Sequence, residues 1–301
     1  MNWKLIARAR KPVVQAALAA HEAIDEWDPQ IVLAGGEVAE DRPDDWILEA
    51  YLPHRPTRAD REAVTALFGD EPPALNAEEL PETDWVTETQ RAVAPIRAGR
   101  FHVHTADYPA DAAPDTIDLV IPAAQAFGTG QHATTAGCLA MLDTMRRRGV
   151  VVRNLADIGT GTGVLAFAAM RLWRGARAIA SDVDPVCEPV VVENALINAI
   201  PLGTAPGELA MVVAEGMDDA LLAGRAPYDL LIANILAGPL IALAGDFADT
   251  VRAGGSLLLA GLLETQEPAV RAAYRTAGFR LAARLVSGDW SILWFRRRPV
   301  G

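Results

Sequence analysis

The chain has 301 residues, 51% hydrophobic and 22% charged, enough for one large domain or two unequal ones around a sizeable core. No window approaches the ~20 uninterrupted apolar residues of a membrane span, and MNWKLIARARKPVV lacks a secretory signal's apolar core and cleavage site. A net charge of −12 argues against a broad nucleic-acid-binding face, and two distant cysteines, Cys138 and Cys187, argue against a disulfide framework or a zinc site. A reducing cytoplasm is the expectation. The acidity would suit a basic protein partner, but solubility alone explains it better.

In chain order, Trp3 to Ala9 reads as a strand, and Pro12 sits where a helix could start and run to about Trp27. IVLAGG and WILEAYL follow as strands. Thr57 then opens a second helix, with Asp60 in the capping-box position. The order β-α-β-β-α predicts a small α+β ferredoxin-like module over residues 1–68. GDEPPALNAEELPE is rich in Pro, Glu and Asp and reads as part of a linker, assigned to residues 69–98. The rest, 99–301, is the main domain. At its start His102 and His104 lie two apart on a strand, hence on one face. No further ligand is spaced to complete a metal site, so they are expected to be solvated and metal-free.

From Asn154 the runs LADI, AIASD, LAMVVA, YDLLIAN and SLLLAGLL alternate with mostly helical stretches. That rhythm predicts a doubly wound α/β sheet with helices on both faces. After a helix ending near Gly278, FRLAARLVS and WSILWFRRR follow closely enough to form an antiparallel pair at the sheet's edge.

LADIGTGTGVLAFAA is a buried strand, a glycine-rich turn and a helix. Gly159, Gly161 and Gly163, with Thr160 among them, let backbone approach a ligand where any Cβ would clash. A dinucleotide fingerprint needs G-x-G-x-x-G/A, and the chain matches it only in poor register. Its pattern, D-x-G-x-G-x-G, suits S-adenosylmethionine, which has no phosphate to place on a helix N-terminus. It carries an amino-acid moiety whose ammonium benefits from a carboxylate such as Asp157. Asp182 ends the second strand roughly 20 residues on, where an acid can bond ribose hydroxyls, while Asp184-Pro185 reads as the cap of the next helix. Asn234 ends YDLLIAN. It either caps the helix near Gly238 or faces the methyl group, accepting a hydrogen bond from an amine and aiming its lone pair.

The set DWVTETQRAVAPIRAGR, AFGTGQHATTAGCLAMLD, DIGTGTGVLAFAA, SDVDP, ENALINA and ANILAGPLIALA resembles the PrmA family, methyltransferases of the eleventh large-subunit ribosomal protein. The resemblance runs from about Asp84 to Gly278. It implies a class I methyltransferase domain (Rossmann-like, with an antiparallel last strand) preceded by a small substrate-recognition domain. It also implies methyl transfer to lysine side chains and the N-terminal amine of that ribosomal protein. Carried over by position, it implies cofactor contacts at Thr135, Gly159, Asp182 and Asn234, with Phe127, Gly128, Thr129, Gly130 and His132 lying over the cofactor as a lid. The family usually reads FGTGTHPTT, where this chain has Gln131 and Ala133, and Asp-Pro-Gly-Leu, where this chain has Ile121 to Gln125.

Thr134 or Thr135 is expected to cap the helix behind the lid, and His132 to be a hydrogen-bonded structural histidine. The chain is expected to act as a monomer, without direct nucleic-acid contact. Two rival readings are a lysine methyltransferase of another protein, such as the electron-transfer flavoprotein β-subunit, and a non-catalytic S-adenosylmethionine-binding module. An NAD-dependent dehydrogenase is disfavoured by the glycine register.

Overall fold

The computed structural model describes residues 2–22, 24, 27–28, 31–38, 44–69, 72–80, 94–111, 113–122 and 131–299. The chain divides into two compact units, Met1–Glu88 and Thr89–Gly301.

The first unit contains β1 (Asn2–Arg10), α1 (Lys11–Glu22), β2 (Val32–Glu37), β3 (Asp45–Leu52), α2 (Arg58–Ala66) and β4 (Leu75–Leu80). Its sheet runs β2-β3-β1-β4 and every neighbouring pair is antiparallel. That is the ferredoxin-like order expected, completed by a sixth element. Alternate residues of β1 and β3, among them Leu5, Ala7, Leu48, Ala50 and Leu52, turn inward onto Val14 and Ala17 of α1 and Val64 of α2. The start of α2 is a reciprocal capping box. The Asp60 amide donates to Thr57 Oγ1 at 3.2 Å, and the Thr57 amide to Asp60 Oδ2 at 2.7 Å. Two expectations need correction. Helix α1 ends at Glu22 rather than near Trp27. The assigned linker is also too long, since Leu75–Leu80 pairs with β1 and belongs to this sheet.

The second unit opens with a three-stranded sheet, β5 (Ile96–Ala98), β6 (Phe101–His104) and β7 (Ile117–Val120). Helix α3 (Gln131–Arg147) leads from it to the main sheet. The remaining elements are β8 (Asn154–Ile158), α4 (Val164–Leu172), β9 (Arg177–Asp182), α5 (Cys187–Ile197), β10 (Leu209–Val213), α6 (Ala220–Arg225), β11 (Tyr228–Asn234), α7 (Ala237–Ala242), α8 (Ala244–Thr250), β12 (Val251–Leu263), α9 (Glu267–Thr276), β13 (Phe279–Ser287) and β14 (Trp290–Arg297).

The main sheet has the order β10-β9-β8-β11-β12-β14-β13. Five strands are parallel neighbours and β14 runs antiparallel between β12 and β13, the expected class I methyltransferase arrangement. Two apolar layers flank it. One gathers α3, α4 and α5, and the other gathers α6, α7, α8 and α9. Strand β8 is buried on both faces, Leu155 in the first layer and Ala156 in the second, which is why it reads as a continuous apolar run. The strand order reverses between β8 and β11, the place where open α/β sheets form a ligand crevice.

Candidate functional site

Strand β8 delivers Asp157 and Ile158 to the reversal point, and the chain then turns through Gly159 to Gly163 into α4. The turn needs glycine. Gly159, Gly161 and Gly163 adopt φ of +70°, +56° and +84°, and Gly163 is the N-cap of α4. Both the Gly159 and Thr160 amides donate to the Ser181 carbonyl of β9, at 2.8 and 2.9 Å. From α5, Asn194 Nδ2 donates to the Thr162 carbonyl at 3.0 Å.

Asp157 is 1% exposed and anchors this turn. Its Oδ2 accepts the Thr160 hydroxyl at 2.7 Å and the Ala166 amide at 3.0 Å. Its Oδ1 is buried and lacks a partner among the described residues. Burial pushes its carboxyl up to about 7 and the Asp182 charge adds to the rise, while the bonds from Thr160 and Ala166 oppose it.

Asp182 ends β9 and is partly exposed at the crevice. Its Oδ2 accepts the Gly161 amide at 2.9 Å, so the acid after the second strand braces the glycine turn after the first. Its Oδ1 accepts the Asp184 amide at 3.1 Å. Each oxygen keeps a further lone-pair direction. Asp184 is exposed and accepts the Val186 amide at 2.9 Å, but the N-cap of α5 is Val186, so Asp184 is not that helix's cap, correcting that expectation.

Asn234 is the last residue of β11, and the N-cap of α7 is Leu236, so Asn234 is not that helix's cap. Its Oδ1 is buried without a partner among the described residues. The next residue, Ile235, is a wedge. A Cβ on Gly159 would lie 2.2 Å from Ile235 Cγ2, and one on Gly261 of β12 would lie 2.4 Å from the Ile235 carbonyl oxygen. Asn234 is thereby locked against the glycine turn.

An unpartnered carboxylate oxygen, an unpartnered amide oxygen and a turn stripped of Cβ atoms converge on one crevice. These acceptors fit a cationic, amine-bearing ligand better than a pyrophosphate anion. S-adenosylmethionine, with its ammonium and sulfonium, has that chemistry.

Of the expected site residues, Asp157, Gly159, Thr160, Gly161, Gly163, Asp182 and Asn234 are brought together. Thr135 is buried in α3. Helix α3 begins at Gln131, so Thr134 and Thr135 lie inside it and neither is its cap, correcting that expectation. Phe127, Gly128, Thr129 and Gly130 lie outside the described residues, as does the side chain of His132. Three contributors lie within the quoted motifs but were given no role there: Asn194, Ser181 and Ile235, which act through contacts between elements distant in the chain.

The two histidines of β6 also depart from expectation. His102 and His104 are buried, 3% and 5% exposed, and both contact the Asp118 carboxylate. Asp118 stands on the neighbouring strand, where sequence spacing does not reveal its pairing with the histidines.

Comparison with known proteins places these features in a family. The profile described as ribosomal protein L11 methyltransferase (PrmA) matches residues 16–298. The ribosomal protein L11 methyltransferase of Agrobacterium fabrum (strain C58) is 37% identical over 273 residues, covering 90% of each chain. That of Rhizobium johnstonii is 40% identical over 229 residues, covering 76% of this chain and 75% of its own. A crystal structure described as ribosomal protein L11 methylase from Lactobacillus delbrueckii subsp. bulgaricus superposes with a TM-score of 0.58 at 26% identity, covering 69% of this chain and all of that one.

Proposed function

Because the chain belongs to the ribosomal protein L11 methyltransferase (PrmA) family, we propose that it moves methyl groups from S-adenosylmethionine to amines of ribosomal protein L11. Within that reading the acceptors are lysine side chains and the N-terminal amine of free L11 in the cytoplasm. Residues 1–88 recognise the substrate, and the chain acts as a monomer.

S-adenosylmethionine supplies an electrophilic methyl group on a sulfonium that leaves readily. Asp157 Oδ1 would hold the ammonium of the cofactor's amino-acid moiety. Asp182 would offer its remaining lone pairs to the ribose hydroxyls. The glycine turn would give the close backbone approach, and Thr135 would add a contact from α3. Asn234 Oδ1 accepts an N–H of the incoming amine and directs its lone pair at the methyl carbon. Orientation of this kind carries much of the rate when the leaving group is already good. No carboxylate or imidazole is assigned as a base, and water takes the amine's proton.

The observation that carries this reading is the buried, unpartnered Asn234 Oδ1 locked beside the glycine turn. A non-catalytic binding module has no use for it. The test incubates the protein with methyl-labelled S-adenosylmethionine and, separately, free L11 and the flavoprotein β-subunit. Label on L11, mapped by peptide mass spectrometry to lysines and the N-terminus, is the expected result. Label on the flavoprotein subunit alone overturns the acceptor, and label on neither favours the binding module. Asn234→Ala should lower kcat by about 100-fold while changing the cofactor Kd less than about threefold. Unchanged turnover would remove Asn234 from the mechanism.

A further inference from the structure

His102 and His104 stand on β6, and Asp118 on β7 is the register partner of His102. The carboxylate bridges the two rings. Asp118 Oδ1 lies 2.7 Å from His102 Nδ1, and Oδ2 lies 2.7 Å from His104 Nε2. The rings are stacked, centroids 4.7 Å apart and planes inclined by 22°. Asp118 Oδ1 also accepts the Asp111 amide at 3.1 Å, and Asp111 is held by Arg97.

Donors and acceptors do not balance in this cluster without a cation. His104 Nδ1 lies 2.7 Å from the Thr105 carbonyl, which can only accept, so Nδ1 carries the ring hydrogen. Nε2 of the neutral ring then turns a lone pair toward a carboxylate oxygen at 2.7 Å. Two lone pairs hold that distance only with a bridging proton between them, which a metal ion would displace once the donors spread to ligand spacing.

The geometry points to a binding site for one divalent transition-metal ion of the zinc class at His102, His104 and Asp118. Two imidazoles and a carboxylate suit Zn²⁺, Co²⁺ or Ni²⁺ better than Ca²⁺ or Mg²⁺, which take oxygen ligands. The hydrogen bond from His104 Nδ1 to a backbone carbonyl is the support that fixes the ring orientation of a metal-ligating histidine. The three donor atoms lie within 4.8 Å of one another. Metal–donor distances of about 2.0–2.1 Å put tetrahedral donors about 3.3 Å apart, so each imidazole nitrogen must draw back from its carboxylate oxygen, 2.7 Å away, by about 0.6 Å. Both project from one face of one strand, and Asp118, whose side chain is 23% exposed, gives the ion its way in. The bound ion would clamp β6 to β7. None of these residues belongs to the methyl-transfer site, and the inference does not rest on the proposed reaction.

The test uses the full chain without an affinity tag, stripped with a chelator and dialysed. Co²⁺ is titrated in and followed by its d–d absorption, and Zn²⁺ by calorimetry. One ion per chain is expected, with affinity at least about tenfold weaker in His102→Ala and in His104→Ala. Zn²⁺ should raise the thermal midpoint of the stripped wild type and not of either variant. Asp118→Asn keeps the shape of the cluster and removes its charge, so it covers the case in which a histidine variant fails to fold. A Cys138→Ser, Cys187→Ser double variant should bind as the wild type does. No binding by the stripped protein, or binding undiminished in both histidine variants and in Asp118→Asn, overturns the site and leaves a proton-bridged cluster.

Discussion

Asp157 makes the stability of the cofactor-free protein depend on pH in a direction opposite to most carboxylates. Its ordinary value of 3.8 is raised to about 7 by burial, with Asp182 adding to the rise. Between those values the native state holds a proton that the unfolded chain has released. Stability therefore falls as pH rises through this window. The penalty is absent below the unfolded value and complete above the folded one. At about 1.4 kcal/mol per unit the whole effect is about 4 kcal/mol, of which about 2.5 kcal/mol develops between pH 5 and pH 8. Asp157→Asn keeps the shape and an acceptor for Thr160 and Ala166 but does not titrate. Urea denaturation of both proteins at pH 5 and pH 8 isolates the term. The variant should gain about 2.5 kcal/mol on the wild type across that interval. Stability curves that stay parallel, within about 0.5 kcal/mol, would refute the assignment of this proton to Asp157. On the proposed function a cofactor ammonium beside Oδ1 favours the ionised form. Binding at pH 6 should then release a proton, read by calorimetry in buffers of different ionisation heat.

Gly159→Ala confronts a φ of +70° and a Cβ position 2.2 Å from Ile235 Cγ2. The backbone alone costs about 1–2 kcal/mol and crowding adds a similar amount, so cofactor affinity should fall by at least about tenfold. Adding Ile235→Ala should recover the crowding part and not the backbone part. Wild-type affinity in the single variant would show that the turn can relax. Thr57→Ala removes the capping-box acceptor of α2 and should destabilise the first unit by about 1 kcal/mol in urea denaturation, leaving cofactor affinity unchanged.

The sequence exposes these features unevenly. The strand, glycine turn and helix of the cofactor cradle are legible because their causes are local. Strand β8 is buried on both faces, and three positive-φ positions call for glycine. The cap of α2 is legible for the same reason, with Thr57 and Asp60 three residues apart. Strand β4 is hidden because LNAEEL lies at a sheet edge, where one strand neighbour suffices and acidic residues are tolerated. The His102–His104–Asp118 cluster is hidden because it depends on the register between β6 and β7. Ile235 is hidden because its role exists only where β8, β11 and β12 come together.

That isoleucine makes three distant positions a single unit of inheritance. Gly159 faces the Ile235 side chain and Gly261 its backbone, so a side chain can be gained at Gly159 only in a lineage that has already trimmed the isoleucine, and no substitution at 235 opens Gly261. Shrinking the wedge first would loosen Asn234 and the glycine turn together. The chain is thereby held on a narrow ridge of permitted sequences, on which the group that binds the donor and the group that aims the acceptor cannot drift independently.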